Sequence, residues 1–66
     1  MNGLIKWFSD SEGLGIIEAE QGHFCFGLND LKGTPQEGQA VTFEATAKKI
    51  SIHDELLPLA VNIVND

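Results

Sequence analysis

Basic side chains are scarce in this chain: Lys and Arg number 4 against 10 Asp and Glu, a formal net charge of −6 in 66 residues. Phosphate neutralisation by Lys and Arg supplies most non-specific nucleic-acid affinity, so the composition weighs against a general polyanion binder. Cysteine is nearly absent as well. The single thiol, Cys25, has no partner for an internal disulfide, so the core must hold without a covalent staple and a reducing compartment is expected. No apolar run approaches the roughly 20 residues a membrane span needs. The longest, Leu56 to Val61, is interrupted by Pro58. Met1 to Trp7 holds no basic region followed by a long apolar stretch and no small-residue cleavage site, which makes the cytoplasm the expected location, with no membrane partner. A chain this short buries only about 60% of the surface its unfolded form exposes and has no room for a cleft between lobes. A substrate-enclosing enzyme is therefore disfavoured. No helical period is sustained; His53–Leu57, with Asp54 as a cap, offers one turn at most.

What the sequence does have is glycine, at positions 3, 13, 15, 22, 27, 33 and 38, with short apolar or alternating segments between. Such segments are too brief for ordinary helices and read as strands. The first is Leu4–Phe8, ended by the small polar residues Ser9–Gly13. The second, Leu14–Glu18, turns at Ala19–Gly22 into a returning strand, His23–Phe26, with Gly22 free to take positive φ. Asn29–Gly38 reads as a connection. Gln39–Ala45 alternates with Val41, Phe43 and Ala45 on one face, and Leu59–Val64 places Val61 and Ile63 together. Five short strands have to manage their edges, and closure does so most compactly. The expected fold is all-β, a five-stranded antiparallel Greek-key barrel of the OB type in a single domain, 1–66, with Ile5, Ile17, Phe24, Phe26, Val41, Phe43, Val61 and Ile63 as its interior.

Lys6-Trp7-Phe8, Gly13-x-Gly15-x-Ile17, Glu37-Gly38-Gln39-Ala40-Val41-x-Phe43-Glu44 and Pro58-x-Ala60-x-Asn62-Ile63 follow one another in an order and spacing that resembles the bacterial cold-shock proteins over nearly the whole chain. The resemblance implies a cold-shock domain: a small barrel on which aromatics of two ribonucleoprotein-like motifs stack successive bases of single-stranded DNA or RNA, while Lys or Arg tracks the backbone. The family's first motif, Lys-Gly-(Phe/Tyr)-Gly-Phe-Ile, stands here as Glu12-Gly13-Leu14-Gly15-Ile16-Ile17. The basic residue is acidic, and the outward aromatics are aliphatic. The second, Val-Phe-Val-His-Phe, stands as Phe24-Cys25-Phe26-Gly27-Leu28, with Phe24 and Phe26 at inward positions and Cys25, Gly27 and Leu28 at outward ones.

The positions carried over as a nucleic-acid face are thus Lys6, Trp7, Phe8, Leu14, Ile16 and Cys25, of which only the first three keep the family's chemistry. Stacking is worth about 1–3 kcal/mol per base, so replacing four or so stacking groups forfeits on the order of 4–12 kcal/mol. Binding to single-stranded RNA or DNA is expected to be weak or lost. The alternative is a barrel that kept the fold for protein contact or homodimerisation through Leu14, Ile16, Cys25, Leu28 and the Ile50–Leu57 insertion, since aliphatics suit a dry interface.

Lys32, Lys48 and Lys49 read as solvated surface. His23, Cys25 and His53 lack the paired spacing of a metal site, and Ser51, His53 and Asp54 are too close in sequence for a nucleophile, base and orienting group. No cofactor and no enzymatic activity are expected. The segment Ala47–Leu57 is longer than the family loop and carries Ile50, Ile52, Leu56 and Leu57. Exposed, these would be costly. Either the segment extends the last two strands as a hairpin resting its apolar side on the barrel, or another chain covers it.

Overall fold

The computed structural model describes residues 1–66. Five strands form, each longer than its hydrophobic pattern alone marks: β1 (Asn2–Ser9), β2 (Leu14–Ala19), β3 (Gly22–Gly27), β4 (Ala40–Ile52) and β5 (Glu55–Asn65). They close in the order β1-β2-β3-β5-β4. Every pairing is antiparallel except β3 with β5, which meet in parallel at Cys25 and Leu59. The connection expected between the third and fourth strands contains a single 3-10 turn, Leu28–Asp30, followed by Leu31, which bridges Ile63 and enters the core. No helix is long and apolar enough to cross a membrane.

The barrel interior holds Ile5, Ile17, Phe24, Phe26, Val41, Phe43 and Ile63 as expected, with Leu31 and Ala60 besides. Val61 is the exception. Strict alternation puts it on the same face as Ile63, but Asn62 takes φ 52°, a left-handed conformation that Asn tolerates better than most residues. The pairing slips there, from Thr42 with Val64 to Glu44 with Val61, so two residues of β5 oppose Phe43. This bulge turns Ala60 inward in place of Val61.

A second bulge decides where the tryptophan points. Ile5 pairs with Ile17 and Trp7 with Ile16, leaving Lys6 as the extra residue. Without the insertion Ile5 and Trp7 would share a face. With it, Ile5 stays inside, Trp7 turns outward, and Phe8 packs against the margin of the interior cluster. Gly15 has a local cause too. A Cβ there would strike the Phe26 ring and stand 2.9 Å from the Trp7 carbonyl oxygen, so only glycine lets β2 close over that ring.

The long segment before Pro58 takes the first of the two forms the sequence leaves open, a hairpin that extends the last two strands. Ile52 pairs with Glu55 across a two-residue turn, and Ile50 and Ser51 pair with Leu57 and Leu56. His53 (φ 51°) and Asp54 (φ 66°) are both left-handed, the geometry of a tight turn that matches strand twist. The single helical turn expected at His53–Leu57 does not form, because His53 and Asp54 make the hairpin turn and β5 begins at Glu55.

Candidate nucleic-acid interface

Leu14 and Ile16 project from the outer side of β2, and Cys25 from the outer side of β3, where Ile16 pairs with it directly. Trp7 stands beside them on β1. In an isolated three-stranded meander this group would be open to solvent. Here the distal part of the β4–β5 hairpin, Lys49–Pro58, folds down upon it. Ile52 and Leu57 join Cys25 in a second buried cluster, with Trp7, Leu14, Ile16, Ile50 and Leu59 packed around them. The molecule has one core inside the barrel and another outside it, between the barrel wall and its own arm.

Cys25 is therefore not a surface position. It is 0% exposed, at the centre of the face where the sequence motifs place base stacking, and its thiol donates to the carbonyl oxygens of Leu57 (3.4 Å) and Pro58 (3.5 Å). Burial pushes the thiol pKa up, against smaller opposing contributions from backbone hydrogen bonds at Cys25 and Ile50. The folded thiol is accordingly a poor nucleophile. At the hairpin tip the His53 ring meets Trp7 edge-on, with centroids 4.7 Å apart and planes at 68°. Such aromatic pairs contribute about 0.5–1.5 kcal/mol beyond their buried area.

The six carried-over positions thus separate into four environments. Lys6 is exposed, its Nζ 3.4 Å from His23 Nε2, which in turn lies 3.3 Å from Glu18 Oε2. Trp7, Leu14 and Ile16 are half-buried against the arm, and Cys25 is wholly beneath it. Phe8 belongs to the margin of the interior core. Leu28, expected beside Leu14 and Ile16, also packs on the interior cluster. Leu14, Ile16 and Cys25, which the sequence offers as a contact surface for a second copy, make their apolar contacts within the chain.

What remains open is a cavity of about 250 Å³ between barrel and arm, lined by Lys6, Trp7, His23, His53 and Glu55 among others. It carries one lysine. The larger concavity, about 750 Å³, lies elsewhere, against Leu4 and Ala40, and its charged residues are Glu18, Glu20 and Asp66. Carboxylates there oppose phosphate. Glu12 is exposed in the turn between β1 and β2, while Lys48 and Lys49 are exposed on β4. No three His, Cys, Asp or Glu side chains gather as a metal site. Ile52, His53 and Leu57 are the residues that sequence motifs alone do not assign to this face. Their signal is the pairing of two departures, aliphatics where aromatics belong and an apolar insertion, which form the two sides of one contact.

A closed five-stranded barrel with the order β1-β2-β3-β5-β4 and an outer face built from β1 to β3 is an OB-type barrel of the cold-shock kind. No family model matches the chain. The chain is similar to the major cold shock protein CspA of Pseudomonas aeruginosa, with 43% identity over 47 residues, 64% of this chain and 68% of the relative. It is similar also to the cold shock-like protein CspB of Bacillus cereus, at 39% over 51 residues, covering 70% and 78%. With the cold shock protein CspD of Bacillus subtilis the identity is 42% over 48 residues, covering 65% and 73%. The chain belongs to the cold-shock protein family.

Proposed function

We propose that this protein is a single-stranded nucleic-acid-binding module of low affinity, with its contacts concentrated at Lys6, Trp7 and the edge of Phe8. The observation that carries this reading is the burial of Cys25 at the middle of the family's stacking face, under Ile52 and Leu57. A base approaching that position meets aliphatic side chains of the arm. Leu14 and Ile16 offer no π-face, and Glu12 presents a negative charge where the family motif has a positive one. Lys6 and Trp7 flank the remaining cavity and give one cation and one stacking ring.

Titration with heptathymidine in 0.1 M salt, read by Trp7 fluorescence, tests the reading. The expected result is quenching only at high oligonucleotide concentration, with an apparent Kd above about 10 μM and a clear weakening as salt rises. Submicromolar binding would contradict it. Homodimerisation, the other partner class suggested by the sequence, is read from the same sample on a sizing column at two concentrations.

A further inference from the structure

We propose that the arm Lys49–Pro58 is a movable cap that competes with a single strand for the outer face of β1 to β3, an inference that rests on the nucleic-acid reading above. The arm is joined to the barrel by a break in the β4–β5 ladder. Beyond the Phe43 bulge, pairing runs as far as Ala45 with Ala60 and resumes only at Lys49 with Pro58, leaving Thr46, Ala47 and Lys48 opposite Leu59 alone. Across this break, Thr46 Oγ1 donates to the Leu59 carbonyl at 2.9 Å. Beyond it, the arm's two strands pair with each other, and the arm meets the barrel through side chains: Ile52 and Leu57 on Cys25 and its neighbours, and His53 on Trp7. The Cys25 thiol donates to the backbone of the arm at Leu57 and Pro58, and Cys25 pairs with Leu59 where the arm joins the barrel. An element held this way opens without disturbing either its own ladder or the barrel's.

The closed arm is a self-ligand. It sets an imidazole against the one stacking indole and aliphatic side chains over the adjoining positions, so a strand and the arm cannot occupy the face together. The competent fraction of the protein is then the open fraction, and the apparent Kd is the intrinsic one divided by it.

Cys25 supplies a reporter that needs no nucleic acid. In the closed state its thiol is covered, and in the open state it is available to an aromatic disulfide reagent. In the parent protein, labelling should exceed the rate set by global unfolding, which is measured separately by denaturant unfolding. Leu57→Ala truncates one of the two arm side chains buried on Cys25 and should speed labelling about tenfold or more. Leu56→Ala, at a side chain 68% exposed on the same strand, should leave the rate near the parent's. Heptathymidine affinity should rise in Leu57→Ala by the same factor as the labelling rate, because both read the open fraction. Should Leu57→Ala fail to fold, the comparison of parent labelling with global unfolding still decides whether the cap moves, and Ile52→Val repeats the series with a milder truncation. Labelling that tracks global unfolding in every variant overturns the cap. Faster labelling with parent-like affinity overturns the competition. Faster labelling with no binding in either protein at millimolar heptathymidine overturns the nucleic-acid reading itself, and the competition with it.

Discussion

Phe43→Ala is expected to lower the unfolding free energy by about 3–5 kcal/mol, measured by urea denaturation with far-UV circular dichroism. Phe43 is 1% exposed, and its ring packs against Phe24 with centroids 5.0 Å apart and planes at 59°. It occupies the register position that the β5 bulge spans, so its ring fills the interior where Ala60, rather than a larger residue, turns inward. Truncation leaves a void that a closed barrel cannot collapse, since each neighbouring strand is fixed by pairing on both sides. Small domains sit at the low end of the usual 5–15 kcal/mol range, which makes this loss a large share of the total. A variant whose midpoint matches that of the parent would place Phe43 outside the core.

The second large effect concerns affinity, and the buried arm changes how it has to be sought. Replacing Cys25 by Phe in the intact chain would force a ring into a site that is 0% exposed, beneath Leu57 and Pro58. Overpacking of that kind costs about 1–3 kcal/mol or evicts the arm. Restoration is better made at Glu12→Lys, Leu14→Phe and Ile16→Phe on the Leu57→Ala background, where the covering contact is weakened. The two recovered stacking groups should strengthen heptathymidine binding by about 2–6 kcal/mol relative to Leu57→Ala alone, roughly thirtyfold to more than ten-thousandfold. The same three substitutions with Leu57 intact should give much less, because the arm then competes for the recovered face. Equal gains in both backgrounds would show that the arm does not obstruct binding.

The barrel was legible in the sequence because its signals are local. Strand alternation in Val41–Ala45, glycine at the β2–β3 turn and the inward parity of Phe24 and Phe26 each follow from period-two geometry. Two bulges broke that parity. Neither the turn of Trp7 outward past Lys6 nor the exchange of Val61 for Ala60 can be read by counting along a strand, because a bulge depends on the partner strand's register. The 3-10 turn and the inward placement of Leu31 were missed for a similar reason: the connecting segment has no periodicity, and its one apolar plug is set by tertiary closure.

The candidate site was legible in its residues and not in its exposure. Motif alignment located Trp7, Leu14, Ile16 and Cys25 on one outer face, and the apolar insertion was legible as either a hairpin resting on the barrel or a patch for another chain. What alignment treats separately, the fold joins. Aliphatic residues at Leu14 and Ile16 are a loss if the partner is a base. They are a gain if the partner is Ile52 and Leu57, since apolar area leaving water contributes about 25 cal/mol per Å² and no charge is desolvated at the contact. Which face the hairpin covers depends on its bend at Thr46–Lys48, a feature of long-range pairing.

The central claim is that the family's stacking face is the floor of a second core in the free protein. Proton–proton NOEs in solution test it most directly, in the absence of any nucleic acid. The structure predicts cross-peaks from the Cys25 β-protons to the Leu57 and Ile52 methyl groups and from the Trp7 indole to the His53 ring, alongside the barrel's own contacts. A barrel with every interior NOE intact but none between Cys25 or Trp7 and the arm would contradict the account.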